Sequence, residues 1–480
     1  MRRAANLLDI RSRLILTAVA ALVLAALGLS TSAHAGEPPC PPGTSPDPAG
    51  LVCVLLDKAA TGLDALASSS ATDAAVAAQE HAWLGTALEL QHRLGDALPL
   101  RDAMWVGTHN SFNTLANLPP SLSNLDSNQH VSLVDQLRLG VRGIEIDVHW
   151  TPSVWAGGAD APVVCHGRPP SELNLGCTDE RLLAEELAPV GAWVRAHPGD
   201  VILLYLEDNI DQPAGYDAAA AAIDATIGDL VYRPPAGAPC ELLPLALSRR
   251  DVLAAGKQIV VMSGCGGAAS ASPAWRAMVF DDSVRAEEGN PDFAGYPACS
   301  SPSVPATAYG TSLVRFYEDS TFVSAAVALG DPGHRLTTAT IDAMVRCGVN
   351  LFGLDQVDPF DSRLVAMVWS WAPDEPSTST PGTCALAGPD GRFHTAGCRD
   401  RRLRFACVDT KGRWFVSRAA GRADDGAKAC ARDAGGARYA VPGNGDQQQH
   451  LRDAAAAAGV GDVWVAYRFR DGVWQGAVPP

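Results

Sequence analysis

WVGTHNSFN, residues 105–113, and GVRGIEIDVHW, residues 140–150, decide how this chain is read. The first places His109 and Asn110 at the end of a short apolar run, with Gly107 two residues before the histidine. Strands commonly end this way where they run into a site. The second alternates as a strand, and Glu145 and Asp147 stand two residues apart, so both carboxylates leave the same face. Two adjacent acids on one buried face repel unless a cation sits between them. The pair therefore reads as half of a metal site.

Working outward, the same kind of run recurs. MWVGTHN, GIEIDVHW, PVVCHG, VILLYLED, QIVVMSG, SLVRFYED and VNLFGLDQVD are each short, apolar and polar-ended. Val201 to Leu206 is apolar on both faces, as expected of parallel strands covered by helices. ERLLAEELAPVGAWVRAHPGD predicts a helix ended by Pro198-Gly199 and completes a strand-helix-strand unit. Seven such strands predict an α/β fold, a TIM-type β/α barrel whose eighth strand is irregular or missing; MVF near Met278 is a weak candidate for it.

Upstream, residues 36–57 are proline-rich and carry Cys40 and Cys53, a stapled entry loop. Ala59 to Leu98 predicts two helices outside the core, with Leu84, Leu88 and Leu94 near helical spacing and a turn at Ser68 to Ser70. Downstream, the proline-rich WAPDEPSTSTPGT closes the barrel, and a small disulfide-bonded α+β module follows. The expected divisions are a leader over 1–35, the entry loop and outer helix over 36–83, the barrel over 84–376, a linker over 377–383 and the module over 384–480.

Arg2, Arg3, Arg11 and Arg13, the apolar run Leu14 to Leu29 and Ala33-His34-Ala35 have the three parts of a bacterial export signal. As a membrane anchor the run falls short of the ~20 residues needed to span, so an extracellular location is expected. Without that leader, 37 basic and 53 acidic residues become 33 and 52, a net charge of −19. Such a charge argues against nucleic acid as a partner, and against tight electrostatic docking on an anionic membrane. All 12 cysteines follow the leader without a paired CxxC zinc pattern. In an exported chain they read as disulfides. Pairing of sequence neighbours gives Cys40 with Cys53, Cys165 with Cys177, Cys384 with Cys398 and Cys407 with Cys430, leaving four cysteines unordered.

Four strand ends carry polar groups that would meet at one barrel mouth: His109 and Asn110, Glu145 and Asp147, His166, and Glu207. A single histidine at a strand end is more often a bonded core residue, and Glu207 beside Asp208 would also serve as a helix cap. Jointly, however, the ends hold three carboxylates, one amide and two imidazoles, with no compensating lysine. Asn110, Glu145, Asp147 and Glu207 offer only oxygen, which favours Ca²⁺ first and Mg²⁺ second. Zinc would recruit the histidines. His109 and His166 then remain available for proton transfer near neutral pH.

GTHNSFN, DQLRLGVRGIEIDVHW, VVCHG and LYLED resemble the catalytic X region of the calcium-dependent phosphatidylinositol-specific phospholipases C, especially the secreted bacterial kind. The resemblance covers roughly Leu84 to Pro376, including GLDQVDPFDSRLVAMVWSWAPDEP. Metal-independent relatives carry aspartate after the first histidine and an arginine in place of calcium. Asn110 with Glu145 and Asp147 fits the metal-dependent branch better.

The resemblance implies a phospholipid substrate at a membrane surface and a mechanism. Calcium on Asn110, Glu145, Asp147 and Glu207 binds the substrate 2-hydroxyl and a phosphate oxygen. Glu145, or another nearby acid, accepts the hydroxyl proton. His109 stabilises charge on the phosphoryl oxygens, and His166 protonates the departing diacylglycerol oxygen. The products are diacylglycerol and an inositol cyclic phosphate.

One departure concerns the head group. Animal relatives that cut polyphosphorylated inositides carry lysines on the fifth strand, where this chain has Met262 and Ser263. Unphosphorylated phosphatidylinositol or another phosphodiester is the expected substrate. Arg315 is the best basic candidate for the substrate phosphate; the alternative is a surface or ion-paired arginine beside Glu318 and Asp319.

The tail faintly resembles a C-type lectin-like domain in Cys407, Cys430, the Val441-Pro442 step and Trp464. It lacks a glutamate-proline-asparagine sugar motif. Trp414, Trp464 and Trp474 are expected in its core; the functional alternative is binding to a surface glycan or to the barrel. Two competing functions remain at this stage: a glycerophosphodiesterase or sphingomyelinase D type enzyme, against which the asparagine after His109 argues, and a non-catalytic adhesion protein. A monomer is expected.

Overall fold

Seven residues cannot carry a chain back to the same end of a sheet, and this shapes the first departure from a regular barrel. In the computed structural model, which describes residues 69–116, 127–174, 176–177, 180–289, 292–319 and 335–479, β1 (Gly143–Pro152) is followed by β2 (Asp160–Val164) after only Ser153 to Ala159. Gly157 and Gly158, at φ 67° and 86°, supply the left-handed turn. β2 therefore pairs antiparallel with β1, Val148 against Val164. PVVCHG is thus the returning arm of a hairpin, not the parallel barrel strand expected, because a parallel return needs a crossover of about a dozen residues or more.

The barrel is built from β1 and from β3 (Ile202–Asn209), β4 (Val231–Tyr232), β5 (Ile259–Ser263), β6 (Phe280–Asp281), β7 (Arg285–Glu288), β8 (Leu313–Tyr317) and β9 (Leu351–Gly353). β1 pairs with β3 and β3 with β5, whose far edge is shared by β4 and β6; β7, β8 and β9 form a second parallel run. MWVGTHN joins the two runs through single parallel bridges, Trp105 and Thr108 to Leu351 and Leu354, and Gly107 to Gly143. Eight parallel positions result, in the order β6, β5, β3, β1, residues 105–108, β9, β8, β7. Among the described residues no ladder joins β6 to β7; the chain itself crosses that seam. The MVF candidate is realised as β6, whereas β4 and β7 are too short to have shown a period.

Burial on both faces explains the apolar runs. Trp105, Leu203, Val260, Met262, Phe280, Leu313 and Leu351 meet in one cluster inside the barrel. Ile144, Ile146, Leu204, Leu206, Val261, Val314 and Phe352 point outward into a larger cluster shared with the helices. Helix Leu183–Ala196 covers the expected segment. Helix Trp83–Leu94 does not lie outside the core as expected: Leu84, Leu88 and Leu94 are buried in the larger cluster. No helix among the described residues is long and apolar enough to cross a membrane.

Beyond the barrel, β10 (Thr383–Ala387), β11 (Phe393–Gly397), β12 (Arg404–Val408), β13 (Trp414–Val416), β14 (Arg438–Tyr439), β15 (Val463–Arg470) and β16 (Val473–Gly476) form a sheet of order β11-β10-β15-β12-β13, with β14 on β12 and β16 on β15. Trp464 is buried, whereas Trp414 and Trp474 are half-buried against the larger cluster. Fully buried Trp371 meets Phe393, Tyr467 and Trp474 at 5.9, 5.7 and 4.8 Å between ring centroids, fixing the module to the chain that leaves the barrel.

Of the expected disulfides, Cys165–Cys177, Cys384–Cys398 and Cys407–Cys430 are present, and the unordered four pair as Cys240–Cys265 and Cys299–Cys347. The leader, the entry loop and Cys40 with Cys53 lie outside the described residues.

The end of the barrel where strands begin is closed by a buried cation. Arg249 is fully buried, donates to Asp96 Oδ1 at 2.9 Å and to the Met104 carbonyl at 3.2 Å, and stacks on Trp105. Its Nη1 lies 3.0 Å from His92 Nδ1, which must accept and so be unprotonated. Burial first, and then Arg249, hold His92 well below the usual histidine range. Arg249→Met leaves Asp96 without its partner and is expected to cost about 3 kcal/mol of unfolding free energy in urea titrations. The His92 contribution is whole above its unfolded pKa of about 6.5 and is lost as pH falls, because the unfolded chain then takes a proton that the native one refuses. A urea midpoint that declines between about pH 7 and 5 is expected, and His92→Asn should flatten that decline.

Candidate active site at the carboxyl ends of the strands

Alternation along each strand carries the inward face from apolar side chains to polar ones. Trp105, Gly107 and His109 follow one another on one segment; Gly143, Glu145 and Asp147 on β1; Leu203, Tyr205 and Glu207 on β3; Leu313, Arg315 and Tyr317 on β8. Parallel pairing sets Glu145 against Tyr205 and Asp147 against Glu207. Carboxylate oxygens of Glu145, Asp147 and Glu207 lie within 4.8 Å of one another. Glu145 and Asp147 are buried, and Glu207 is exposed toward solvent.

Asn110 turns the chain at the end of its segment, with φ at +43°. Its backbone N–H donates to Glu145 Oε2 at 2.9 Å. One terminal atom of its amide sits 3.0 and 3.2 Å from the two Asp147 carboxylate oxygens. With nitrogen there, it donates to Asp147. With oxygen there, oxygen faces oxygen, and a cation is what such an arrangement takes.

Arg315 is the counter-charge that a count of strand ends does not find. It reaches Glu145 through Nη2 and Glu287 through Nη1 at 2.9 Å, and it is buried. Its partners are thus not the neighbouring Glu318 and Asp319 considered from sequence. Among the described residues no ion pair reaches Asp147 or Glu207. An oxygen-only set with two unneutralised carboxylates and one solvent-facing side fits a hard divalent cation.

The histidines belong to one network. His109 Nδ1 lies 3.2 Å from Asp355 Oδ1. Asn128 Nδ2 donates to both Asp355 oxygens at 3.1 Å, and Asn113 Nδ2 donates to Asn128 Oδ1 at 2.8 Å. Asn113 Nδ2 also lies 3.2 Å from His166 Nδ1. Two asparagines and an aspartate therefore connect the two imidazoles across the mouth.

Charge sorts these groups. Burial opposes ionisation of Glu145, but Arg315 and His109 outweigh it and hold the carboxyl down to about 2. Burial also opposes the His109 imidazolium, yet Asp355 and Glu145 raise it to about 9. Asp147 is pushed well above the carboxylate range by burial and then by Glu207 and Glu145. Glu207 is raised by burial and by Glu145.

The structure brings His109, Asn110, Glu145, Asp147, Glu207 and Arg315 together, and ties His166 in through Asn113. Sequence reasoning missed Asp355, Asn128, Asn113 and Glu287. Asp355 had a signal, since it follows Leu351 and Gly353 at period two. Asn128 lies in a loop without a period, and nothing local marks it.

A barrel with two histidines and an oxygen-only acidic cluster at the carboxyl ends of its strands has the layout of an acid–base active site beside a candidate cation site. A family model described as the Rv2075c PI-PLC-like domain matches residues 65–361. Over 497 aligned residues the chain is 38% identical to the Mycobacterium tuberculosis proteins Rv2075c (strain ATCC 25618 / H37Rv) and MT2135 (strain CDC 1551 / Oshkosh), covering 95% of this chain and 98% of each relative. Among solved structures, the phosphatidylinositol-specific phospholipase C from Listeria monocytogenes is 17% identical, with 57% of this chain and 95% of that chain covered and a TM-score of 0.37. The calcium-dependent phosphoinositol-specific phospholipase C from a Pseudomonas species is 16% identical, with 56% and 94% covered and a TM-score of 0.32. The chain belongs to the Rv2075c PI-PLC-like domain family, on the strength of the two sequence matches. Its residues 65–361 are thus a PI-PLC-like domain.

Asp355→Asn removes the main charge that keeps His109 protonated. The imidazole midpoint followed by NMR is expected to fall from about 9 by roughly 1 to 3 pH units.

Proposed function

We propose that the protein is an exported calcium-dependent phosphodiesterase that cleaves phosphatidylinositol to diacylglycerol and inositol cyclic phosphate. One observation carries the reading: oxygen donors from three segments converge beside two histidines held in a single hydrogen-bond network. Asn110, Glu145, Asp147 and Glu207 would hold the calcium ion, which when bound supplies charge that lowers the pKa of a substrate hydroxyl and polarises the phosphate.

The residues of the chain do the rest. The 2-hydroxyl oxygen bonds to phosphorus as the bond to the diacylglycerol oxygen breaks. Glu145 is a poor acceptor for the hydroxyl proton, because its Oε2 already receives Arg315 and the Asn110 N–H. We assign that proton to Glu207, the solvent-facing carboxylate of the cluster. His109, kept charged by Asp355, stabilises the phosphoryl oxygens. His166 gives its proton to the leaving diacylglycerol oxygen. On the fifth strand, Met262 is buried and the Ser263 hydroxyl donates to the Leu206 carbonyl, so neither offers a cation to a ring phosphate.

Vesicles containing phosphatidylinositol test this. Diacylglycerol release is expected with calcium and is lost with chelator. Phosphorylated inositides should be poor substrates. His109→Ala and His166→Ala should each lower turnover by about 10²- to 10⁴-fold with folding intact. Undiminished turnover in chelator would remove calcium from the reading, and inert vesicles with active glycerophosphodiesters would move the substrate.

A further inference from the structure

We propose that Arg315 sets how tightly the acidic site holds a divalent cation, by engaging one oxygen of Glu145 and so weakening that carboxylate's share in holding the ion. The inference rests on the calcium reading above and adds a residue that tunes it.

The guanidinium is placed with care. β8 carries it, and it must pass the neighbouring strand β9 and residues 105–108 to reach β1. The passage exists because residue 353 is glycine: a Cβ there would stand 3.2 Å from both Arg315 Nε and Nη2. The Tyr205 and Tyr317 rings flank the group, with Cζ 5.7 and 5.4 Å from their centroids. Nη2 bonds Glu145 Oε2, the same oxygen that accepts the Asn110 N–H at 2.9 Å. Nη1 bonds Glu287 at 2.9 Å.

Two consequences follow from Coulomb's law at short range and low dielectric. Glu145, with Oε2 accepting from both Arg315 and the Asn110 N–H, presents a weakened negative charge to the space shared with Asp147 and Glu207. The unit positive charge of Arg315 also repels a dication in that space. Glu287, on the far arm, draws part of that positive charge outward. Arg315 and Glu287 thus act on the cation in opposite senses, neither being a cation ligand.

Calcium titration calorimetry on the whole protein tests this, with circular dichroism melts confirming that each variant folds. Arg315→Gln is expected to bind Ca²⁺ at least tenfold more tightly than the wild type, and Glu287→Gln at least threefold more weakly. Asp147→Asn should abolish binding, which locates the ion. If the wild type binds, Asp147→Asn does not, and Arg315→Gln binds equally or more weakly, the role of Arg315 is overturned while the calcium reading stands. If Arg315→Gln does not fold, half-exposed Glu287 decides: weaker binding in Glu287→Gln supports the inference, and unchanged or tighter binding overturns it. If neither the wild type nor any variant binds Ca²⁺, the calcium reading fails and the inference with it. Binding by Arg315→Gln alone would show a wild-type site closed to Ca²⁺, and the calcium reading would fail with the inference that rests on it.

Discussion

Negative charge crowded into a low-dielectric barrel mouth is the constraint under which the rest of this structure is arranged. Glu145, Asp147 and Glu207 cannot all be ionised within 4.8 Å of one another without positive charge nearby. Part of that charge is supplied internally by Arg315, and part by His109 with its raised pKa. What remains falls on Asp147 and Glu207, which have no basic ion-pair partner among the described residues. The imbalance is local and directional: it is relieved by Arg315 on the β8 side and left open toward solvent at Glu207.

That directionality comes from strand register, not from loops. Asp147 faces Glu207 because β1 and β3 pair in parallel at that level, and Glu287 faces Arg315 because β7 and β8 do. A slip of one residue in either ladder would turn the whole set outward. Gly107 shows how close the fit is, since a side chain there would run into the Phe352 carbonyl and part the bridges that join the two parallel runs. The opposite end is closed by Arg249 between Asp96 and Trp105, so one buried arginine fixes the base of the barrel and another shapes its mouth.

Much of this was legible in the chain because the relevant signals are short-range. The period-two placement of Glu145 and Asp147, the glycine before His109 and the polar ends of the apolar runs all depend on neighbours two or three residues apart. Three disulfides between sequence neighbours were legible for the same reason, and Cys240–Cys265 and Cys299–Cys347, left unordered, follow the same pairing of consecutive cysteines. The hairpin was misread because PVVCHG has strand composition, and only the brevity of the turn before it reveals its direction. Arg315 was seen as basic but not as the partner of Glu145, 170 residues away. Asn128 was invisible, since a buried amide in a loop acquires meaning only from Asp355 and Asn113 on either side.

The Cys165–Cys177 bridge has a consequence for where the site can be complete. His166 is the next residue after Cys165, and the bridge closes a loop of sequence separation 12 around it. With the sulfurs joined, the imidazole is anchored at the hairpin's end, within reach of Asn113. Bridges of this kind form and persist in oxidising surroundings. Without that covalent tie, the end of the hairpin that carries His166 would rest on noncovalent contacts, the Asn113 amide among them.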